Sequence, residues 1–268
     1  MTMRPVRLEP VPPVVQVRLK ECPVVLPQAL QAAIDAHRHD ATRENPRLFR
    51  GPAFTVAHVT QTTDALPVTL RPSDYAHYLY TVRNPHPREH AFRAVYGVGL
   101  VRTRDHVLIG GEMGVHTAYP HRLQAGAGRL DRSDVDTDGS GDLRGSVLRE
   151  LHEELGLYGD DANAVEDNTS VWLKSGGPYD FLVIVFRVTL TLIEAHLLAR
   201  YTRVEEQLRS HGGVPEFSQL IRLPAHKDIV ARSLLEDTRP PVDYLAPLLC
   251  REVGMDNPLT RCARGAIR

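Results

Sequence analysis

The sequence predicts a mixed α/β fold, and two kinds of segment lead to this prediction. Short apolar runs, such as residues 95–101 and 181–191, have the length and alternation of strands. Longer stretches, such as residues 28–41 and 192–209, have the apolar spacing of amphipathic helices. Because the two kinds of segment alternate along the chain, neither an all-helical nor an all-β protein is expected.

The first third of the chain is predicted to form an α+β accessory domain, residues 1–88. Its predicted elements are a strand at Val14–Leu19, a helix that follows Pro27 and covers residues 28–41, a strand bracketed by Gly51 and Pro52, a strand at Val68–Leu70, and a helix opened by Pro72-Ser73-Asp74 that runs to Tyr80. Two prolines within residues 84–87 mark the boundary.

The remainder is predicted to form a catalytic-sized domain, residues 89–225, and a C-terminal helical extension, residues 226–268. The predicted elements are a hairpin of Val95–Val101 and Val107–Ile109, a Gly-rich stretch at Gln124–Gly128, an aspartate-rich loop at Asp131–Asp142, a helix ending at Leu155, strands at Val165–Leu173 and Phe181–Thr191, a helix over residues 192–209, and a strand near Phe217–Leu223. Pro240-Pro241 separates a last short helix and a basic tail from the rest.

Composition excludes several classes of function. Lys and Arg number 32 against 33 Asp and Glu, a balance that argues against a broad nucleic-acid or membrane surface. The three cysteines lack CxxC spacing, so neither a disulfide framework nor a zinc site is expected, and a reducing cytoplasm is the expected compartment. The partner we expect is a small molecule, and a homodimer stays open.

The segment that carries chemistry is RELHEELGL, residues 149–157. Glu150, Glu153 and Glu154 stand at i, i+3 and i+4, so all three carboxylates are expected on one solvent-facing side of a helix. An ordinary amphipathic helix with Leu151 in the core explains the leucines and the terminal glycine. It explains the acids poorly, because like charges one turn apart destabilise a helix unless a cation neutralises them. Clustered oxygen ligands suit Mg²⁺ or Mn²⁺.

Residues 149–157 resemble the second half of the Nudix box at every position that this signature specifies. The resemblance implies that Glu153 and Glu154 are metal ligands, that Glu150 is a ligand or a base, and that Arg149 orients the acidic cluster. It also implies an α/β/α sandwich around a mixed sheet. The implied activity is Mg²⁺- or Mn²⁺-dependent hydrolysis of a nucleoside diphosphate linked to another group, a reaction in which the cation neutralises the diphosphate.

The first half of the box departs from this pattern. Its upstream Glu would fall on Gly141, and Gly126 and Gly128 resemble the paired, substrate-binding glycines but lie too far upstream. An insertion in the loop before the helix is therefore implied. Asp142 is one residue out of register and is expected to replace part of the missing carboxylate, while Asp131 stands where an acid often follows the glycines.

Several further segments resemble the Nudix branch that hydrolyses UDP-glucose and UDP-galactose to UMP and a sugar 1-phosphate. They are residues 45–56, 70–79, 94–101, 176–190 and 261–267, together with the interrupted box. Hydrolysis of ADP-ribose or another nucleoside diphosphate derivative is the alternative. A Nudix-fold protein that binds a nucleotide or has a regulatory role, without catalysis, is a second alternative, and the missing Glu favours it.

Other acids and histidines were weighed as ligands. Asp134–Asp142 imitates a calcium-binding loop, but position twelve is Gly145, so a solvated acidic loop is favoured. Asp180 stands where related Nudix proteins often carry an acid that holds metal or activates water, although a turn residue is the slightly favoured interpretation. His116 and His121 could contact a phosphate, but most of the thirteen histidines must be incidental.

Overall fold

The computed structural model describes residues 4–44, 51–84, 88–117, 119–157 and 164–256, and it has a mixed α/β fold, as predicted. The strands are β1 (Arg4–Pro10), β2 (Val14–Leu19), β3 (Pro52–Val59), β4 (Ala65–Asp74), β5 (Val95–Arg102), β6 (Val107–Met113), β7 (Leu123–Gln124), β8 (Gly126–Arg129), β9 (Ser140–Gly141), β10 (Val165–Gly177), β11 (Leu182–Leu190) and β12 (Phe217–Pro224). The helices are α1 (Gln28–Glu44), α2 (Tyr75–Arg83), α3 (Leu143–Leu155), α4 (Glu194–Ser210), α5 (Lys227–Glu236) and α6 (Leu245–Glu252).

The strands form two sheets. The larger sheet has eight strands in the order β1-β10-β11-β5-β6-β12, with β7 paired to β6 and β8 paired to β5. The smaller has four strands in the order β3-β4-β2-β9. The chain also divides into two compact units: residues 1–97, 128–147 and 171–184 form unit 1, and residues 98–127, 148–170 and 185–268 form unit 2.

Unit 1 contains the smaller sheet, whose central pair is parallel. β2 pairs with β4 from Val14 opposite Ala65 to Leu19 opposite Leu70, and β3 and β9 flank this pair in antiparallel orientation. Alternation along β4 places Leu66, Val68 and Leu70 in the core at 0–1% exposure. The side chain of Asp74 caps α2 by accepting a hydrogen bond from the backbone N–H of His77.

Unit 2 is built on antiparallel pairing of β6 with β12, from Met113 opposite Phe217 to Val107 opposite Pro224. Gly111 allows the close approach of these strands, because a Cβ atom there would lie 2.2 Å from the Phe217 ring. Helices α4, α5 and α6 belong to this unit, and each buries an apolar side chain: Leu197, Val230 and Leu248.

Most predicted elements are confirmed, with differences at the turns. β2 has the predicted bounds and α3 ends at Leu155 as predicted. The Gly-rich stretch, for which no element was predicted, contains the end of β7 and the start of β8, and Pro72-Ser73-Asp74 belongs to β4 rather than to the following helix. β1 and β9 were not predicted, and α5 lies within the residues predicted to form a helical extension.

Some predictions concern residues outside the described part of the chain. They include Pro85–Pro87 of the domain boundary, residues 45–50 of the first UDP-sugar segment, and residues 261–267. The three-part domain division stays a prediction.

Cys22 and Cys250 carry free thiols. None of the helices in the described part of the chain combines the length and apolar character that crossing a bilayer requires.

Candidate active site

Helix α3 carries the acids that the sequence singled out, and both of its ends are fixed by local chemistry. At its start, Oδ1 of Asp142 accepts a hydrogen bond from the backbone N–H of Gly145 at 2.9 Å. At its end, Gly156 adopts a left-handed conformation with φ of 70°, and its N–H donates to the carbonyl of His152 at 2.9 Å. A Cβ atom at Gly156 would lie 2.6 Å from Val204 of α4, so this position requires glycine for both conformation and space.

The three glutamates of α3 differ sharply in exposure. Glu153 is exposed, with 58% of its side chain accessible, whereas the Glu150 side chain is only 15% accessible. Glu154 is 6% exposed. The expectation that all three face solvent is therefore wrong for Glu154, because the i+4 position lies between the acidic face and the buried face that contains Leu151 and Leu155.

Glu154 is a buried acid whose two carboxylate oxygens have no closely placed hydrogen-bond donor in the described part of the chain. Among the described residues, nothing donates a hydrogen bond to either of its carboxylate oxygens, although the nearby backbone N–H of Ala127 slightly lowers its pKa. A Cβ atom on Gly126 would lie 2.9 Å from Oε2 of Glu154 and 2.7 Å from Leu151. Gly126, which resembles a glycine of the box, thus leaves the space into which Glu154 and Leu151 fit.

Burial and mutual repulsion perturb the acids of this cluster. Burial raises the pKa of Glu154 well above its usual range, and the charges of Glu216, Glu150 and Glu153 raise it further. Burial also raises the pKa of Glu150 to about 7, even though the Arg149 guanidinium acts in the opposite direction. Ionising all of these carboxylates at neutral pH therefore requires a counter-charge.

Arg149 supplies part of that counter-charge. One guanidinium nitrogen lies 3.0 Å from a carboxylate oxygen of Glu150, and another lies 3.4 Å from Oε1 of Glu153. The guanidinium thus bridges two of the three glutamates of the box. Neither of these ion pairs includes Glu154.

Glu216, directly before β12, is the site residue that sequence reasoning missed. Its backbone carbonyl accepts a hydrogen bond from the N–H of Gly114 at 2.8 Å. Its charge raises the pKa of both Glu150 and Glu154, so its side chain belongs to the acidic cluster. The sequence offered only an acid before a predicted strand, 62 positions beyond Glu154, and such a separation contains no spacing signal.

A divalent cation that also binds waters and substrate fits the chemistry of this donor set. Among the described residues, no three His, Cys, Asp or Glu side chains converge closely enough to hold a metal by themselves. Mg²⁺, however, commonly binds through one or two carboxylates and completes its octahedron with waters and substrate phosphates. The unpartnered oxygens of Glu154 beside Glu150 match that requirement.

The aspartate-rich loop uses its carboxylates locally. Oδ1 of Asp131 accepts from the N–H and the hydroxyl of Ser133, and the Asp138 carboxylate accepts from the N–H and the hydroxyl of Ser140. Gly141 lies in β9 opposite Val17, and a Cβ atom there would lie 3.2 Å from Val17 and 3.3 Å from Leu130. Gly141, which aligns with the missing Glu, therefore packs within the sheet.

The remaining candidates have identified contacts. In unit 1, Gly128 is buried in β8, and the Asp180 carboxylate pairs with Arg93 at 3.3 Å and accepts from the N–H of Gly176. In unit 2, Nδ1 of His121 lies 3.2 Å from Glu112. The metal-binding roles of Asp142 and Asp180 and the substrate-binding role of Gly128 stay predictions.

Comparison with known proteins yields structural similarities only. No family model matches the chain, and no curated protein matches it in sequence. The structure is similar to DR0079 from Deinococcus radiodurans, with 14% identity, a TM-score of 0.35, and coverage of 59% of this chain and 81% of that one. It is similar to a mutant of the Bacillus subtilis pyrophosphohydrolase BsRppH, with 9% identity, a TM-score of 0.35, and coverage of 64% and 86%.

A Nudix hydrolase from Nitrosomonas europaea is also similar, with 14% identity, a TM-score of 0.26, and coverage of 47% of this chain and 76% of that one. The TM-scores and identities of all three similarities are low.

Proposed function

We propose that this chain is a divalent-metal-dependent pyrophosphohydrolase of the Nudix type. Its substrate is a nucleoside diphosphate linked to another group. The observation that carries the proposal is the buried Glu154, whose two oxygens have no hydrogen-bond partner among the described residues and stand beside Glu150 and Glu216. An arrangement of acids that is unfavourable by itself is typical of a site that holds a cation.

The residues that would hold Mg²⁺ or Mn²⁺ are Glu154 and Glu153, with Glu150 and Glu216 beside them. When bound, the cation neutralises the diphosphate and the charge that develops on its oxygens during cleavage. Gly126 keeps the space next to Glu154 free of a side chain.

Glu150 is the proposed general base. With a pKa of about 7, its carboxylate can accept a proton from water at neutral pH. The activated water attacks phosphorus, the anhydride P–O bond breaks, and the leaving phosphate takes the bonding electron pair. Arg149 holds the Glu150 carboxylate at 3.0 Å and limits its rotation during this transfer.

UDP-glucose and UDP-galactose are the first substrates to test, and the products expected are UMP and a sugar 1-phosphate. This choice depends on the resemblance of the ordered segments described above. ADP-ribose and other nucleoside diphosphate derivatives are the alternative substrates. The proposed compartment is the cytoplasm.

A protein that binds nucleotides without hydrolysing them is the second candidate. The observation that favours it is Gly141, which lies in β9 and packs on Val17 and Leu130 where the box requires a carboxylate.

The test is a screen of UDP-glucose, UDP-galactose and ADP-ribose with Mg²⁺ or Mn²⁺, read by chromatography of the products. We expect hydrolysis of at least one substrate, loss of hydrolysis with a chelator, and loss in Glu154→Gln. If calorimetry shows saturable binding of a nucleotide and no condition gives hydrolysis, the chain is a nucleotide-binding protein and not an enzyme.

A further inference from the structure

Unit 2 contains a cavity of about 360 Å³ that the acidic cluster does not use. It is lined by side chains of β6, β12, α5 and α6, including Leu108, Ile109, Leu223, Leu235, Leu245 and Leu249. A volume of this size and a mostly apolar lining with few polar groups are typical of small-molecule sites.

The cavity is separate from the site proposed for hydrolysis. None of the four clustered glutamates lines it. Ala125 lines it, whereas the next residue, Gly126, faces Leu151 and Glu154 of α3. The residues that line the cavity in this segment, Leu123 to Ala125, are thus different from the glycine that faces α3.

The charged groups at the edge of the cavity disfavour a charged ligand. Nε and Nη2 of Arg239 donate to the Asp237 carboxylate at 2.9 and 2.6 Å, and Nη1 donates to Glu112 at 3.0 Å. These bonds lower the pKa of both acids, so both remain ionised. Of these two acids only Asp237 lines the cavity, so an anion would meet its ionised carboxylate, and a cation would have to compete with an arginine held by three hydrogen bonds.

The mouth of the cavity is identified by exposed lining residues. Leu235, near the end of α5, lines the cavity while 57% of its surface is accessible, and Thr238 and Pro240 in the following turn are also exposed. Thr238 and Ser233, whose side chains carry hydroxyl groups, also line the cavity. A molecule that enters here would cover Leu235 and meet uncharged hydrogen-bonding groups.

We propose that this cavity binds a small, uncharged, mainly apolar molecule that carries a single hydroxyl or carbonyl group. The hydrocarbon part contacts the leucines, and the polar end lies near Ser233 and Thr238. This site does not depend on the proposed hydrolase activity, and binding is measured without nucleotide.

The experiment is titration of the full chain with octan-1-ol by calorimetry, with octanoate as the charged probe of equal length. We expect saturable binding of one octan-1-ol per chain and at least tenfold weaker binding of octanoate. Leu235→Glu, at the mouth, is expected to weaken octan-1-ol binding about tenfold or more. Ile229→Glu is the matched control, because Ile229 is also on α5 and 39% exposed but does not line the cavity.

A second variant tests the cavity itself. Ser233→Phe places a ring at the cavity wall on the half-buried side of α5 and is expected to abolish binding without lowering the melting temperature. Absence of saturable octan-1-ol binding would overturn the proposal, as would equal binding by Leu235→Glu and Ile229→Glu. A change from dimer to monomer in Leu235→Glu, with no octan-1-ol binding by the parent protein, would assign the cavity to a second copy of the chain instead.

Discussion

Glu112 and Glu154 are both largely removed from solvent in unit 2, yet their surroundings are opposite. The Glu112 carboxylate accepts hydrogen bonds from Arg239 at 3.0 Å and Gln219 at 2.7 Å, and it lies 3.2 Å from His121. These bonds lower the pKa of Glu112. Glu154 has no such partners among the described residues, and its pKa is raised.

Under the proposed function, this contrast separates a structural acid, Glu112, from the proposed metal ligand Glu154. Glu112 is stabilised as a carboxylate by the protein itself, so it joins β6, β12 and the turn that contains Arg239. Burial and the neighbouring carboxylates disfavour the charge of Glu154, the backbone N–H of Ala127 does not offset them, and an external cation would supply what is missing. Substitutions at the two positions should therefore have opposite effects on activity and stability.

Glu154→Gln is expected to lower turnover about 10³-fold, which corresponds to about 4 kcal/mol of transition-state stabilisation. Its free energy of unfolding should stay equal or rise, because an amide of the same shape replaces a buried carboxylate. Glu112→Gln is the matched control. Its turnover should stay within a few-fold of the parent, and its stability should fall by about 1 to 3 kcal/mol because charge-assisted hydrogen bonds are lost. Steady-state kinetics at saturating Mg²⁺ measure the turnover of each variant, and urea unfolding measures its stability.

Two results would contradict this contrast. One is a Glu154→Gln enzyme that retains a rate within a few-fold of the parent, which removes the residue from the metal site. The other is a Glu112→Gln enzyme that loses turnover to the same extent while remaining folded, since both acids would then serve the reaction.

Leu151→Ala should affect stability rather than chemistry. Leu151 is fully buried and fits against Gly126, so its truncation leaves a cavity that is expected to cost about 2 to 5 kcal/mol. Leu148→Ala, at a half-buried position on the same helix, should cost less. Thermal unfolding compares the two, and an unchanged melting temperature for Leu151→Ala would show that α3 is oriented differently.

The pH dependence of stability should also differ between Glu150 and Glu112. Glu150, in the cluster with Glu154, has a folded-state pKa of about 7, above its unfolded value of 4.5. Without metal, the contribution of protonated Glu150 to the free energy of unfolding is fully present below pH 4.5. This contribution, about 3 kcal/mol, is lost as the pH rises to 7. The lowered pKa of Glu112 has the opposite sign: its contribution is present above its unfolded pKa and is lost on acidification.

Urea unfolding in a chelator between pH 4.5 and 8 measures this difference. Glu150→Gln should flatten the decline toward neutral pH, whereas Glu112→Gln should leave that decline in place. Added Mg²⁺ should restore stability at pH 8 in the parent protein. A parent protein whose stability is constant from pH 5 to 8 in chelator would show that the acidic cluster is not repulsive.

The sequence could predict the local parts of this site and not its tertiary parts. The spacing of Glu150, Glu153 and Glu154 predicted that they lie within one turn of each other on α3, and Gly156 predicted where the helix ends. Burial of Glu154 depends on Gly126 in β8, a contact that spacing within α3 cannot reveal. Glu216 joins the cluster through the path of the chain before β12, and no local pattern encodes that position.

The smallest expected effects concern Asp142, for which two roles make different predictions. As a cap, Asp142 accepts from the N–H of Gly145, and Asn performs this function about as well as Asp. Asp142→Ala should then cost about 1 kcal/mol in stability and Asp142→Asn almost nothing. As a partial replacement for the missing box carboxylate, Asp142 must carry charge, so Asp142→Asn should raise the Mg²⁺ concentration at half-maximal rate. Asp136→Asn, also in the acidic loop, controls for charge alone, and equal Mg²⁺ titrations for the two Asn variants would leave Asp142 with the capping role only.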